Sequence, residues 1–141
     1  DAWLVYGPFD LSDATAAEVT FQRWQRTKRD YDYFKWMVSV DGERFHGWKS
    51  SGDTGGWDAV TFDLSDVYTL GDLRGVPQVW LAVIMQSDDT INDVGVFVDD
   101  VLVRKQTSGA QAGVSDIAPG QARSTPTPGN WDLRPSSARR P

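Results

Sequence analysis

The sequence predicts an all-β domain, an antiparallel two-sheet sandwich of about eight strands, and three observations carry that reading. Apolar and polar residues alternate in short runs, and turn residues punctuate those runs at intervals suited to a sandwich. No stretch sustains a long helical period. Seven Trp, six Phe and four Tyr in 141 residues suit a β-rich core or an aromatic binding surface.

Trp3–Leu11 and Ala17–Thr27 read as the first strands, the second carrying Val19 and Phe21 on one parity. Tyr31–Asp41 alternates cleanly, with Phe34, Trp36, Val38 and Val40 on one face and Tyr33, Lys35, Met37 and Ser39 on the other. Asp41-Gly42 separates it from Glu43–Ser50, a hairpin signal. A Gly-rich loop, Ser51–Gly56, leads into Trp57–Leu64, and a turn segment ending in Val76-Pro77 leads into Gln78–Gln86. After an Asp-rich loop, Ser87–Asp93, the strand Gly95–Gln106 closes the body. Short helical turns are expected only at Ala14–Glu18 and Ser65–Leu73. Within GVFVDDVLV, residues 95–103, two adjacent carboxylates interrupt an apolar run. Neighbouring strand side chains point to opposite faces, so one of Asp99 and Asp100 is expected to face the core and to need a donor or a cation.

The domain is expected to occupy residues 1–106, with residues 107–141 an irregular Pro/Ser/Thr/Gly-rich tail or linker. Five of the seven prolines lie in that tail, whose composition buries too little apolar surface to order itself. Trp131 is its only large anchor and is the expected contact with the body or with a neighbouring subunit of a homo-oligomer or larger assembly. Charge divides at the same place: residues 1–106 carry ten Lys/Arg against eighteen Asp/Glu, net −8, and the tail four Arg against two Asp, net +2. An acidic body repels a phosphate backbone, which argues against nucleic acid as a partner. No apolar run approaches the roughly 18–20 residues of a membrane span. The absence of Cys excludes a disulfide framework and thiolate chemistry. The chain opens at Asp1 rather than Met, and a processed chain or an excised domain is expected.

Four segments in this order, YDYFKWMVSVDGERFHGW, WDAVTFDLS, QVWLAVIMQSDD and GVFVDDVLV, resemble the jelly-roll accessory domain of secreted bacterial proteins. The module is similar to that of immune-inhibitor-A-type metalloproteases and, more loosely, to MAM domains and related carbohydrate-binding-like sandwiches. The likeness covers about residues 3–105 and departs at Leu70–Val76 and Glu43–Trp48. It implies an eight-stranded antiparallel jelly roll outside the cell, often with a structural Ca²⁺, in non-catalytic roles such as adhesion or substrate targeting.

The residues themselves offer little for catalysis. His46 is the only histidine, it sits in no motif, and several-His or Cys zinc sites cannot form, so an enzyme is not expected. Calcium fits better, because Ca²⁺ takes six to eight oxygens from carboxylates and carbonyls at loop bends. Asp30 and Asp32 flank a strand entrance, Asp88, Asp89 and Asp93 crowd one loop, and Asp100 follows; these are the expected ligands. Aromatic residues off the core parity supply the other candidate, a platform of Trp24, Tyr33 and Trp80 for stacking on a sugar or a partner. Trp48 and Trp57, on either side of KSSGDTGG, are an alternative contact. The expected function is a non-catalytic binding or assembly module meeting protein subunits or glycan at a cell surface. The alternative is a carbohydrate-binding module that targets a secreted hydrolase.

Overall fold

The computed structural model describes residues 1–88 and 93–109, together with the backbone of two short strands at 114–116 and 132–135. Its strands are β1 (Ala2–Phe9), β2 (Ala14–Arg26), β3 (Tyr33–Ser39), β4 (His46–Ser50), β5 (Asp53–Asp63), β6 (Val79–Gln86), β7 (Gly95–Thr107), β8 (Val114–Asp116) and β9 (Asp132–Pro135). They form two antiparallel sheets, and the described residues contain no helix. Four strands in the order β4-β3-β6-β1 make one sheet and three in the order β5-β2-β7 the other. Each is extended at one edge by a short strand, β9 along β1 and β8 along β7.

The alternation read from the sequence decides which faces meet. Phe34, Trp36 and Val38 of β3, with Val79 and Leu81 of β6, point at Val19 and Phe21 of β2, Phe62 of β5 and Val103 of β7. Phe21 stands edge-on to Phe34 at 6.0 Å and to Trp36 at 5.9 Å, so one aromatic cluster joins the two sheets. Burying a side chain of this size contributes about 1.5–3 kcal/mol. The segment between β5 and β6 closes one end. Leu64, Val67 and Leu73 are buried there, held by amides such as Leu64 N to Ala17 O and Leu11 N to Val76 O, each 2.9 Å. Tyr33, Lys35 and Met37 face the other way, as expected, and a second apolar cluster of Val5, Ala82 and Ile84 with Trp3, Met37, Phe45 and Trp80 lies on that outer face.

Several local expectations change. Ala14–Glu18 is extended, because β2 runs between β5 and β7 and pairs Glu18 with Asp63 on one side and Arg104 on the other. Ser65–Leu73 forms turns around a Val67–Gly71 bridge rather than a helical turn. The Gly-rich loop shortens, since β5 already starts at Asp53. The hairpin after β3 has a loop longer than two residues, its first pair being Val38 with His46. Inside the loop the Asp41 carboxylate accepts the Glu43 and Arg44 amides at 2.7 and 2.8 Å.

The carboxylate pair of β7 is also resolved differently. The ladder with β2 passes from Thr20–Leu102 to Gln22–Asp99, so Phe21 faces two residues, Asp100 and Val101, in a β-bulge. Asp100 takes φ 52°, and the break in alternation turns both carboxylates to water. Neither meets the core.

Candidate binding face

Among the described residues, the outer face of the β5-β2-β7 sheet brings three exposed aromatic rings together by register. Val19 and Phe21 point inward, so Gln22, Trp24 and Arg26 of β2 point outward. Trp24 lies directly opposite Trp57 of β5 and directly opposite Phe97 of β7. Three large rings therefore stand in one row across three strands, and they are 55% (Trp57), 37% (Trp24) and 47% (Phe97) exposed. The Trp24 and Phe97 rings stack at 5.5 Å with 21° between their planes. Beside the row, Gln22 is paired with Ala59 and Asp99. On its other side Arg26 Nε meets an Asp93 carboxylate oxygen at 3.1 Å. Gly55, at φ 70°, sits in the ladder irregularity between Asp53 and Trp57, where β5 carries more residues than the facing stretch of β2.

Of the expected platform, only Trp24 is on this face. Tyr33 and Trp80 belong to the other sheet. The Tyr33 hydroxyl donates to the Asp30 carbonyl at 3.0 Å, and the Lys49 ammonium sits 4.2 Å from its ring centre. Trp80 is half-buried and packs on the second apolar cluster and over Gly42. Trp57, expected at the head of a strand and as part of an alternative contact with Trp48, is a strand residue in the row, and Trp48 is exposed on the edge strand β4 opposite Trp36. The sequence does not mark Phe97 as a surface residue, because the apolar run around it reads as buried. Its parity with Asp99 is the signal that places it outward. Trp131 lies outside the described residues.

The expected calcium ligands divide. Asp32 is 2% exposed, and its oxygens accept the Lys28 amide at 3.3 Å and the Asp88 amide at 3.1 Å, tying the turn before β3 to the loop after β6. The Asp88 carboxylate meets the Lys28 ammonium at 3.3 Å, and Asp93 meets Arg26. Asp32 and Asp93 line one cavity of about 190 Å³ together with Thr27, Met85, Ser87 and Gly95. Asp30 is exposed at φ 67°, with its amide on the Ser51 hydroxyl at 2.8 Å. Asp100 sits on the bulge, five residues along β7 from Gly95 and so roughly 16 Å from this end at ~3.3 Å per residue. Asp89 is outside the described residues. Among the described residues no three His, Cys, Asp or Glu side chains gather closely enough to hold a metal ion.

A second cavity, of about 220 Å³, lies at the other end of the β5-β2-β7 sheet, between Glu18, Asp63, Arg74, Arg104 and Lys105. Two of its cations are already engaged. Arg74 holds Asp72 at 2.6 Å, and the Lys105 ammonium holds Asp13 at 2.6 Å and the Asp10 carbonyl at 2.9 Å. No family model and no curated protein matches this chain, so its function has to be read from its own geometry.

Proposed function

We propose that this is a non-catalytic, extracellular binding module of jelly-roll type that takes a neutral glycan on the row Trp57–Trp24–Phe97. The row is the observation that carries the reading. Soluble monomers rarely leave large contiguous apolar patches in water, and such patches mark interaction sites. Ring faces stack on the C–H surfaces of sugars, and a sugar also needs donors and acceptors beside the ring. Gln22, Asp99 and the Arg26–Asp93 pair supply them. A body of net charge −8 disfavours polyanions, which turns the choice toward an uncharged chain.

The strand pairing supports the jelly-roll part of the reading. β3 pairs with β4, β2 with β5 and β1 with β6, three nested antiparallel pairs that alternate between the sheets, as when one long hairpin is wrapped on itself. The extracellular placement rests on the resemblance of the four segments. The same reading admits a calcium ion in the cavity lined by Asp32 and Asp93, where it would compete with Arg26 for Asp93. A resident ion predicts a melting temperature that falls in EDTA and recovers with Ca²⁺; an unchanged temperature removes it.

Affinity electrophoresis through gels containing xylan, mannan, cellulose derivatives or mixed β-glucan tests the binding. The expected result is retardation by at least one of these, lost in Trp24→Ala and Trp57→Ala. No retardation by any of them overturns the glycan. Self-association that disappears in the same variants would assign the row to subunit assembly instead.

A further inference from the structure

On the outer face of the other sheet, β3 and β4 place Lys35 directly opposite Lys49. Opposed residues on neighbouring strands hold their Cβ atoms about 4.5–5.5 Å apart, and like charges at that spacing are destabilising. The surroundings supply carboxylates to other cations. This is an acid-rich chain, and Arg23, Arg26, Lys28, Arg74 and Lys105 each sit on a carboxylate. Among the described residues neither Lys35 nor Lys49 meets one. Lys49 lies over the Tyr33 ring instead, 4.2 Å from its centre, on the face that Tyr33 shares with Lys35. Burial of Lys35, and then the charge of Lys49, lower its pKa from the ordinary lysine value. Both ammonium groups thus retain donors with no anionic acceptor in the described fold.

We propose that Lys35 and Lys49 form a receptor for an oxyanion of the carboxylate or sulfate class. An anion accepting from both ammonium groups makes two charge-assisted hydrogen bonds and cancels the repulsion between them. It is independent of the glycan reading, since the aromatic row lies on the opposite sheet.

The test is thermal unfolding in sulfate, in citrate, and in sodium chloride at matched ionic strength, for the wild type, Lys49→Met and Lys49→Glu. With the anion at tenfold above its dissociation constant, the wild type should gain about 3–6 °C over the chloride control. Lys49→Met should lose that gain. Lys49→Glu should melt higher than the wild type in plain buffer and show no response to anion, because an internal carboxylate then fills the site. A response to citrate alone identifies a carboxylate receptor and a response to sulfate alone a sulfate receptor. Sulfate also stabilises proteins by exclusion from their surface. An equal gain in wild type and Lys49→Met therefore overturns the proposal, as does a wild-type gain no larger than that in chloride.

Discussion

Asp100 holds φ at 52° in the middle of β7, a conformation that costs an ordinary L-residue roughly 1–2 kcal/mol and that Asp and Asn tolerate better than branched residues. Asp100→Val should therefore lower stability by about 1–2 kcal/mol in urea unfolding, while Asp100→Gly should be neutral or stabilising. Equal effects of the two would remove the backbone explanation and leave the carboxylate as the reason for Asp. The pair Asp99-Asp100 shows why parity alone misleads here. A bulge inserts one residue into a ladder, and its position depends on the partner strand, which the local sequence does not contain. Asp41 offers a second test at this scale. The amides of Arg44 and Glu43 and the Ser39 hydroxyl all donate to its carboxylate and hold its pKa down to about 2. Its folded value lies below the unfolded value of about 3.9, so its contribution is complete above that pH and is lost as pH falls toward 2. Wild type and Asp41→Ala should differ in denaturation midpoint at pH 7 and converge as pH falls to about 2. A difference that persists at low pH would assign the loop's stability to something other than this charge.

Between elements, the two sheets are latched at their open edges by Arg23. Its guanidinium is 11% exposed, lies 5.3 Å from the Trp36 ring, and holds Asp58 of β5 through Nε at 3.0 Å and Nη2 at 2.5 Å. Nη1 donates to the Ser50 hydroxyl of β4 at 2.8 Å, and that hydroxyl donates to the buried Gln25 at 2.6 Å. One side chain of β2 thus reaches both edge strands. Asp58→Ala leaves this cation nearly buried without its carboxylate, and about 2 kcal/mol of stability should go, less than for a fully buried pair because Asp58 is itself partly exposed. A loss under about 0.5 kcal/mol, the range of ordinary surface substitutions, would deny the latch. Nothing in the spacing of Arg23 and Asp58 announces the contact, because it depends on register. The strands themselves are legible where alternation is strong, as in Tyr33–Ser39, or where a short apolar run follows turn residues, as in Val79–Gln86. They are not legible where tertiary pairing overrides local preference. Ala14–Glu18 is extended because β2 has partners on both sides, and Asp53–Gly56 joins β5 because Arg26 is there to pair with Asp53.

Across the whole molecule, the core and the aromatic row differ in their exposure to water, although both are built from Trp and Phe. An all-β, two-sheet chain could be read from composition and period, and so could the outward parity of Trp24. The company Trp24 keeps could not, because sheet membership sets Tyr33 and Trp80 on one sheet and Trp57 and Phe97 on the other. That division yields a prediction about energies. Phe21 is 2% exposed and touches aromatic rings of the opposite sheet, so Phe21→Ala should destabilise by about 3–5 kcal/mol. The row's rings are half in water, and its stacked pair contributes only about 0.5–1.5 kcal/mol beyond burial. Replacing Trp24, Trp57 and Phe97 together by Ser should therefore cost less than the single core change, on the order of 2 kcal/mol, yet abolish retardation in glycan gels. Phe21→Ala, held below its lowered melting temperature, should migrate as the wild type does. If the triple variant instead unfolds as readily as Phe21→Ala, the row is a structural element of the sheet. Its exposure would then carry no message about a ligand.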